Sequence, residues 1–141
     1  MSYDEGNIFA RILRGELPAH KVYETGFVLA FMDVMPRSTG HVLVIPKAKA
    51  RNIFDIGEND LSHVASAVRV IACAAKEAFG ADGMSIIQSN ESAGGQVVFH
   101  MHVHVIPRWE GIELKPHTGG MERSEILAAN ASKIRQVLSQ L

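Results

Sequence analysis

A chain of 141 residues suits one compact domain that buries roughly two-thirds of its unfolded surface. Hydrophobic residues make up 47% and charged residues 21%, ordinary for a soluble globular protein. Fourteen Lys and Arg stand against fifteen Asp and Glu, a net charge of −1 with no long basic stretch; this argues against electrostatic capture of nucleic acid and leaves room only for a local phosphate site.

In chain order, the start MSYDEGNIFARIL is acidic and polar before any apolar run, unlike a secretory signal. Asn7 is placed to cap a short helix that carries Ile8, Phe9, Ile12 and Leu13 on one face and ends at Gly15 and Pro18. KVYET and FVLAFMD are β-rich runs around Thr25 and Gly26, predicting a hairpin. After the turn residues MPRSTG, the run HVLVIP predicts a third strand, stopped by Pro46. The longest helix begins at Asp60 or a neighbour. Leu61, Val64, Ala65, Val68, Ile71, Ala72, Ala75 and Phe79 repeat along it at helical spacing, and Gly80 is placed to cap it.

Cys73 falls in that helix and is expected to be an apolar filler. As the only cysteine, it leaves no intrachain disulfide and no Cys-x-x-Cys metal knuckle. GMSIIQSN and VFHMHVHVIP predict two more strands on either side of ESAGGQ, and SEILAANASKIRQVLSQL predicts a final helix from Ser124. No apolar run reaches about 18 residues, so no membrane span is expected and a cytoplasmic location is the simplest expectation. Five strands with helices between and after them indicate an α+β fold with a largely antiparallel sheet.

Three of the seven histidines, His100, His102 and His104, fall within five positions of the last strand. On a strand they share one face, while Met101, Val103 and Val105 take the other and pack against a helix. The outer two are roughly 13 Å apart along the backbone at about 3.3 Å per residue, whereas one metal needs nitrogens about 2.0–2.1 Å away. Two of them can converge on a metal and three on a flat strand do not. A metal site therefore needs a further donor such as Asp33. A solvated polar face is the plainer alternative, though repetition of so scarce a residue speaks against it.

The preceding SAGGQ supplies two glycines, which allow positive φ and close approach of backbone N–H groups to an anion, and Gln96 adds an amide donor. Next to an imidazole row, such a cradle suits attack on a phosphorus centre. One histidine attacks through whichever ring nitrogen lacks the proton, and another donates to phosphate oxygens as their charge grows. No Gly-x-x-x-x-Gly-Lys-Ser/Thr loop is present, which rules out P-loop phosphoryl transfer.

HMHVHVI matches the H-φ-H-φ-H-φ-φ pattern of the histidine-triad (HIT) family of nucleotide hydrolases and transferases, which the chain resembles. NIFARILRGELPAHKVYE, FVLAFMDVMPRSTGHVLVIPK and IIQSNESAGGQVVFHMHVHVIPR resemble the family's segments in the same order, through about His117. The resemblance implies a single HIT domain over residues 1–141, with a core of about 7–110 and a C-terminal tail and helix from 111 to 141. It implies that His102 is the nucleophile on the α-phosphorus of an adenosine-phosphate derivative, through a nucleotidyl-histidine that water cleaves. His104 would contact phosphate oxygens, and His100 would orient the nucleophile's surroundings. Asp33 matches the acidic residue that holds the ribose hydroxyls. Ile8, Phe9, Ile12, Phe31 and Val34 match the apolar slot for the base, and Asn90, Gly95 and Gln96 match positions near the phosphate and leaving group.

No cofactor is implied. The bacterial zinc site of some members is expected to be missing, because its positions hold Asn7, Ala10 and Lys49 and retain only His100. Val97 stands where many members place a serine or threonine that assists the leaving group or phosphate. A nucleotide-binding regulatory or interaction protein with little turnover is therefore the alternative to a hydrolase. HVIPR resembles the branch that cleaves dinucleoside polyphosphates, and NIFARILRGELPA the branch that cleaves adenosine phosphoramidates. Members of both are homodimers, which implies a homodimer here, with Trp109 and the C-terminal helix near the neighbouring site. His20, His41, His63 and His117 are expected to be structural or solvated. Lys47, Lys49 and Arg51 are expected in a solvated loop, and Arg108 is a candidate contact to a distal phosphate.

Overall fold

A computed structural model of the protein describes residues 3–117 and 120–141. Helix α1 spans Ile8–Leu13, and the Asn7 side chain accepts the Ala10 N–H at 2.9 Å, capping a first turn whose amides have no helical partner. Strands β1 (Lys21–Glu24) and β2 (Val28–Met32) form the predicted hairpin. In its turn, Thr25 Oγ1 accepts the N–H groups of Phe27 and Val28, both at 3.1 Å. Strand β3 is Val42–Pro46 and helix α2 is Glu58–Phe79, closed by Gly80 in the left-handed conformation at φ 59°. Strands β4 (Gly83–Ile87) and β5 (Val103–Arg108) and helix α3 (Ser124–Leu138) complete the chain.

The sheet is antiparallel throughout, in the order β1-β2-β3-β5-β4. All five residues of β2 and of β3 are buried, because both faces of the sheet are covered. Val28, Ala30, Met32, Val42, Val44, Met101, Val103 and Val105 share a core with Ile71 of α2 and Ile134 of α3. Leu29, Phe31, Leu43 and Ile45 alternate to the opposite face and meet Phe9 of α1 in a smaller cluster. Phe31 pairs with Leu43, and Leu43 with His104. That register carries the third histidine of the row onto the α1 side of the sheet.

Two expectations change. The last strand starts at Val103 rather than near Val98, so His100 and His102 lie ahead of it and only His104 belongs to it. Pro46, at the end of β3, has no N–H to extend the ladder beyond the Val44–Val103 pair. The chain instead bends inward, held by Met101 N–H donating to Ala50 O at 2.8 Å. Cys73, expected as a filler, is exposed: Ile71, Ala74 and Ala75 take the buried face of α2 and rotate it outward. Among the described residues no helix is long and apolar enough to cross a membrane.

Candidate active site

On the α1 side of the sheet lies a cavity of about 270 Å³. Ile8, Phe9, Ile12, Phe31 and Val34 give it an apolar wall, Gly95 and Val97 border it, and Asp33, His102 and His104 reach it. Asn90, Gln96 and His100 are not in its lining. A wider, open hollow of about 520 Å³ around Arg108, Trp109 and Glu113 contains no histidine.

His100 is fully buried, and both its ring nitrogens are engaged. Nε2 donates to Pro46 O at 2.8 Å and Nδ1 accepts the Tyr3 hydroxyl at 2.5 Å. Burial pushes it down to about 4, so it stays a neutral scaffold piece at ordinary pH. Its carbonyl oxygen lies 2.7 Å from His102 Nδ1. A carbonyl only accepts, so the proton of His102 sits on Nδ1 and Nε2 keeps its lone pair. Phe9 packs edge-on against this ring with centroids 5.0 Å apart, and burial lowers its proton affinity, opposed by the carbonyl bond and by Asp33. His102 is thus a neutral imidazole with its tautomer fixed, set in a cavity wall.

A second chain of hydrogen bonds fixes His104. The Arg37 N–H donates to His41 Nδ1 at 3.0 Å, which leaves the His41 proton on Nε2. That Nε2–H faces His104 Nδ1 at 2.9 Å, so His104 carries its own proton on Nε2. Burial pushes His41 down to about 2 and His104 down to about 3, keeping both neutral. His102 and His104 stand edge to face, with centroids 5.2 Å apart. One offers a lone pair and its neighbour an N–H, the complementary pair that attack on a phosphoryl group needs.

Asp33, His41 and His104 also bring possible metal-ligand atoms within 4.8 Å of one another. They are poorly prepared for an ion. A ligating histidine usually donates its outer N–H to a second-shell acceptor, whereas His41 accepts there from Arg37 and keeps its proton on the nitrogen an ion would need.

The glycine turn differs from the expected cradle. Gly94 N–H and Gln96 N–H both donate to Glu91 O at 3.0 Å, and Gly95 N–H donates to Ser92 O at the same distance, so these amides close the turn itself. The Gln96 side chain is equally committed, with Nε2 donating to Arg51 O and Val98 O and Oε1 accepting from Glu91 N–H and Asn52. Glu91 holds a left-handed backbone at φ 63°, and Arg51 grips its carboxylate through two nitrogens at 2.7 and 2.8 Å. Arg51 also lies over the Phe99 ring. The guanidinium holds the Glu91 carboxyl well down, to about 2. The basic cluster is therefore not simply a solvated loop: Lys47 pairs with Glu24 at 2.7 Å and Lys49 with Glu5 at 2.5 Å. Asn90 Oδ1 accepts the Ile53 N–H at 2.8 Å, tying the same two loops. Arg108 donates to Ser85 Oγ in the neighbouring strand, away from the cavity, and Trp109 to Gly80 O.

Sequence reasoning passed over His41, His117 and Tyr3. His41 is fully buried beside Asp33, and its signal was a lone polar side chain leading an unbroken apolar strand. His117 lines the cavity and donates to Asp33 Oδ2 at 2.8 Å. No spacing marks it, because its neighbours in space come from distant segments.

A five-stranded antiparallel sheet that presents one histidine as acceptor and the next as donor defines a histidine-triad domain. The chain belongs to the HIT family, whose HIT domain model matches residues 14–111. A crystal structure of a HIT-like protein from Bartonella henselae, described as involved in cell-cycle regulation, is 50% identical. It superposes with a TM-score of 0.94 over 97% of this chain and 99% of that one. An uncharacterised HIT-like protein of Methanocaldococcus jannaschii is 40% identical, covering 74% of this chain and 80% of its own. An adenosine 5′-monophosphoramidase of Schizosaccharomyces pombe is 34% identical, over 72% of this chain and 73% of its own.

Proposed function

We propose that the protein is a nucleotide hydrolase that releases AMP from adenosine-phosphate derivatives, phosphoramidates or dinucleoside polyphosphates, through an adenylyl-histidine at His102. The observation that carries this reading is the His102 tautomer: Nδ1 bonded to the His100 carbonyl at 2.7 Å, and Nε2 unprotonated in the wall of the cavity. The similarity to the phosphoramidase supports the choice of substrate class.

In the first step the His102 Nε2 lone pair forms a bond to the α-phosphorus. The bond from phosphorus to the leaving group breaks, and that group departs with its electron pair and takes up a proton from solvent. His104 Nε2–H donates to a non-bridging phosphate oxygen as charge accumulates there. Water then attacks the same phosphorus and gives up a proton to solvent, the Nε2–P bond breaks with its electron pair returning to Nε2, and AMP leaves. The apolar wall of Ile8, Phe9, Phe31 and Val34 takes the base, and Asp33 takes the ribose. Asn90 and Gln96 act at one remove, by holding the loops that border the cavity. The same reading includes a homodimer joined through β4, one of the two edge strands of the sheet, where Ile86 is 48% exposed; a monomer in sedimentation would count against it.

Val97 favours a second reading. It borders the cavity, is 81% exposed and has no hydroxyl to offer a leaving group, as suits a nucleotide-binding protein with little turnover. The two readings separate on AMP release from adenosine 5′-phosphoramidate and diadenosine polyphosphates, without added metal, by the wild type and by His102→Asn. A hydrolase loses at least about 10³-fold in rate in the variant while still binding AMP. If the wild type binds AMP and releases none from either substrate, the binding protein is the correct reading.

A further inference from the structure

The HIT domain model ends at residue 111, yet the chain brings another imidazole to the cavity from beyond that point. The segment around His117 is fastened to the turn after β2. Lys115 N–H donates to Arg37 O at 2.9 Å, Arg37 Nε returns a bond to Lys115 O at 2.9 Å, and Glu122 N–H donates to Val34 O at 2.8 Å. Between these anchors His117 Nε2 lies 2.8 Å from Asp33 Oδ2. A carboxylate only accepts, so the imidazole proton sits on Nε2 and Nδ1 is left as an acceptor. The side chain is 40% exposed and borders the cavity.

Asp33 on its own is buried and partly spent. An ionised carboxylate offers about four lone-pair sites. Met35 N–H takes one on Oδ1 at 2.9 Å and His117 takes one on Oδ2 at 2.8 Å, while the proton of the nearby His41 Nε2 is given to His104. A vicinal diol brings two O–H donors, and His117 Nδ1 is a further acceptor on a partly exposed side chain that borders the same cavity as the buried carboxylate. We infer that Asp33 and His117 act together as a two-acceptor clasp for the ribose diol, with Asp33 taking one hydroxyl and His117 Nδ1 the other. His117 is then a specificity-determining residue for ribonucleotides, supplied by the chain beyond the matched domain. This inference rests on the nucleotide reading proposed above.

The test is a cycle of ligand and side-chain deletions. Dissociation constants for AMP, 2′-deoxy-AMP and 3′-deoxy-AMP are measured by calorimetry on the wild type, His117→Ala and His117→Gln, with circular dichroism confirming that each variant is folded. One deoxynucleotide is expected to bind the wild type about tenfold more weakly than AMP, the worth of one such hydrogen bond. His117→Ala should weaken AMP by a similar factor and leave that deoxynucleotide nearly unchanged, so the preference collapses. The amide of His117→Gln retains a donor and an acceptor and should restore part of it. Equal weakening of all three ligands in His117→Ala, or an undiminished preference for AMP, overturns the clasp. Failure of the wild type to bind AMP removes the nucleotide reading and this inference with it.

Discussion

On the proposed mechanism His102 attacks only while its imidazole is neutral, and burial lowers its affinity for a proton from the ordinary value of 6.5. The acid limb of kcat/KM, which reports the free enzyme, should therefore lie below 6.5. An acid limb at or above that value would mean that the nucleophile is solvated rather than set in the cavity wall. At this scale the sequence was partly legible. Period-two spacing picked out the histidines, and His102 and His104 do reach the cavity while His100 lies outside its lining. The spacing did not reveal that His41 fixes the His104 tautomer through a 2.9 Å bond, because that pairing joins residues 63 positions apart. Gln96 was misread for a related reason. An amide beside a glycine turn signals a donor, but here four hydrogen bonds spend it on the surrounding loops.

Helices and turns were easier to read than the element that carries the triad. Asn7 and Gly80 cap their helices as their chemistry requires, since an Asx side chain accepts amides at an N-terminus and glycine adopts positive φ at a C-terminus. The last strand was read too long because alternation continues through His100, whereas pairing stops where Pro46 ends β3. Gly40 shows how the elements fix the site. It sits at φ 85° just before His41, and a Cβ there would collide with the Phe79 ring at the end of α2. Gly40→Ala should cost about 3 kcal/mol, from overpacking plus a left-handed backbone. Urea unfolding checks this, and a midpoint within error of the wild type would show that α2 does not press on the turn that delivers His41.

The whole molecule buries both faces of its sheet, and this leaves several histidines uncharged inside it. Burial holds His100 at about 4, His104 at about 3 and His41 at about 2, all below the unfolded value of 6.5. As the pH falls through 6.5 the unfolded chain takes up protons that the folded chain refuses. The stability these groups contribute is therefore complete above 6.5 and is lost progressively as the pH drops toward 4 and below. Urea midpoints measured at pH 7.5 and pH 5 should fall with pH, with protons taken up on unfolding. Equal midpoints would contradict neutral burial. The α+β class followed from the order and number of apolar runs, but the cavity did not, because its wall is assembled from α1, β2, the glycine turn and residues beyond β5.

The central claim is covalent chemistry at His102, and the most direct measurement is a rapid alkaline quench of a single turnover. Enzyme is held in excess over adenosine 5′-phosphoramidate, and the modified peptide is mapped by mass spectrometry. The account predicts an adenylyl group on His102 that rises and decays as AMP appears, and none in His102→Asn. Adenylyl on another residue, or complete AMP formation with no protein-bound adenylate at any time point, would contradict it.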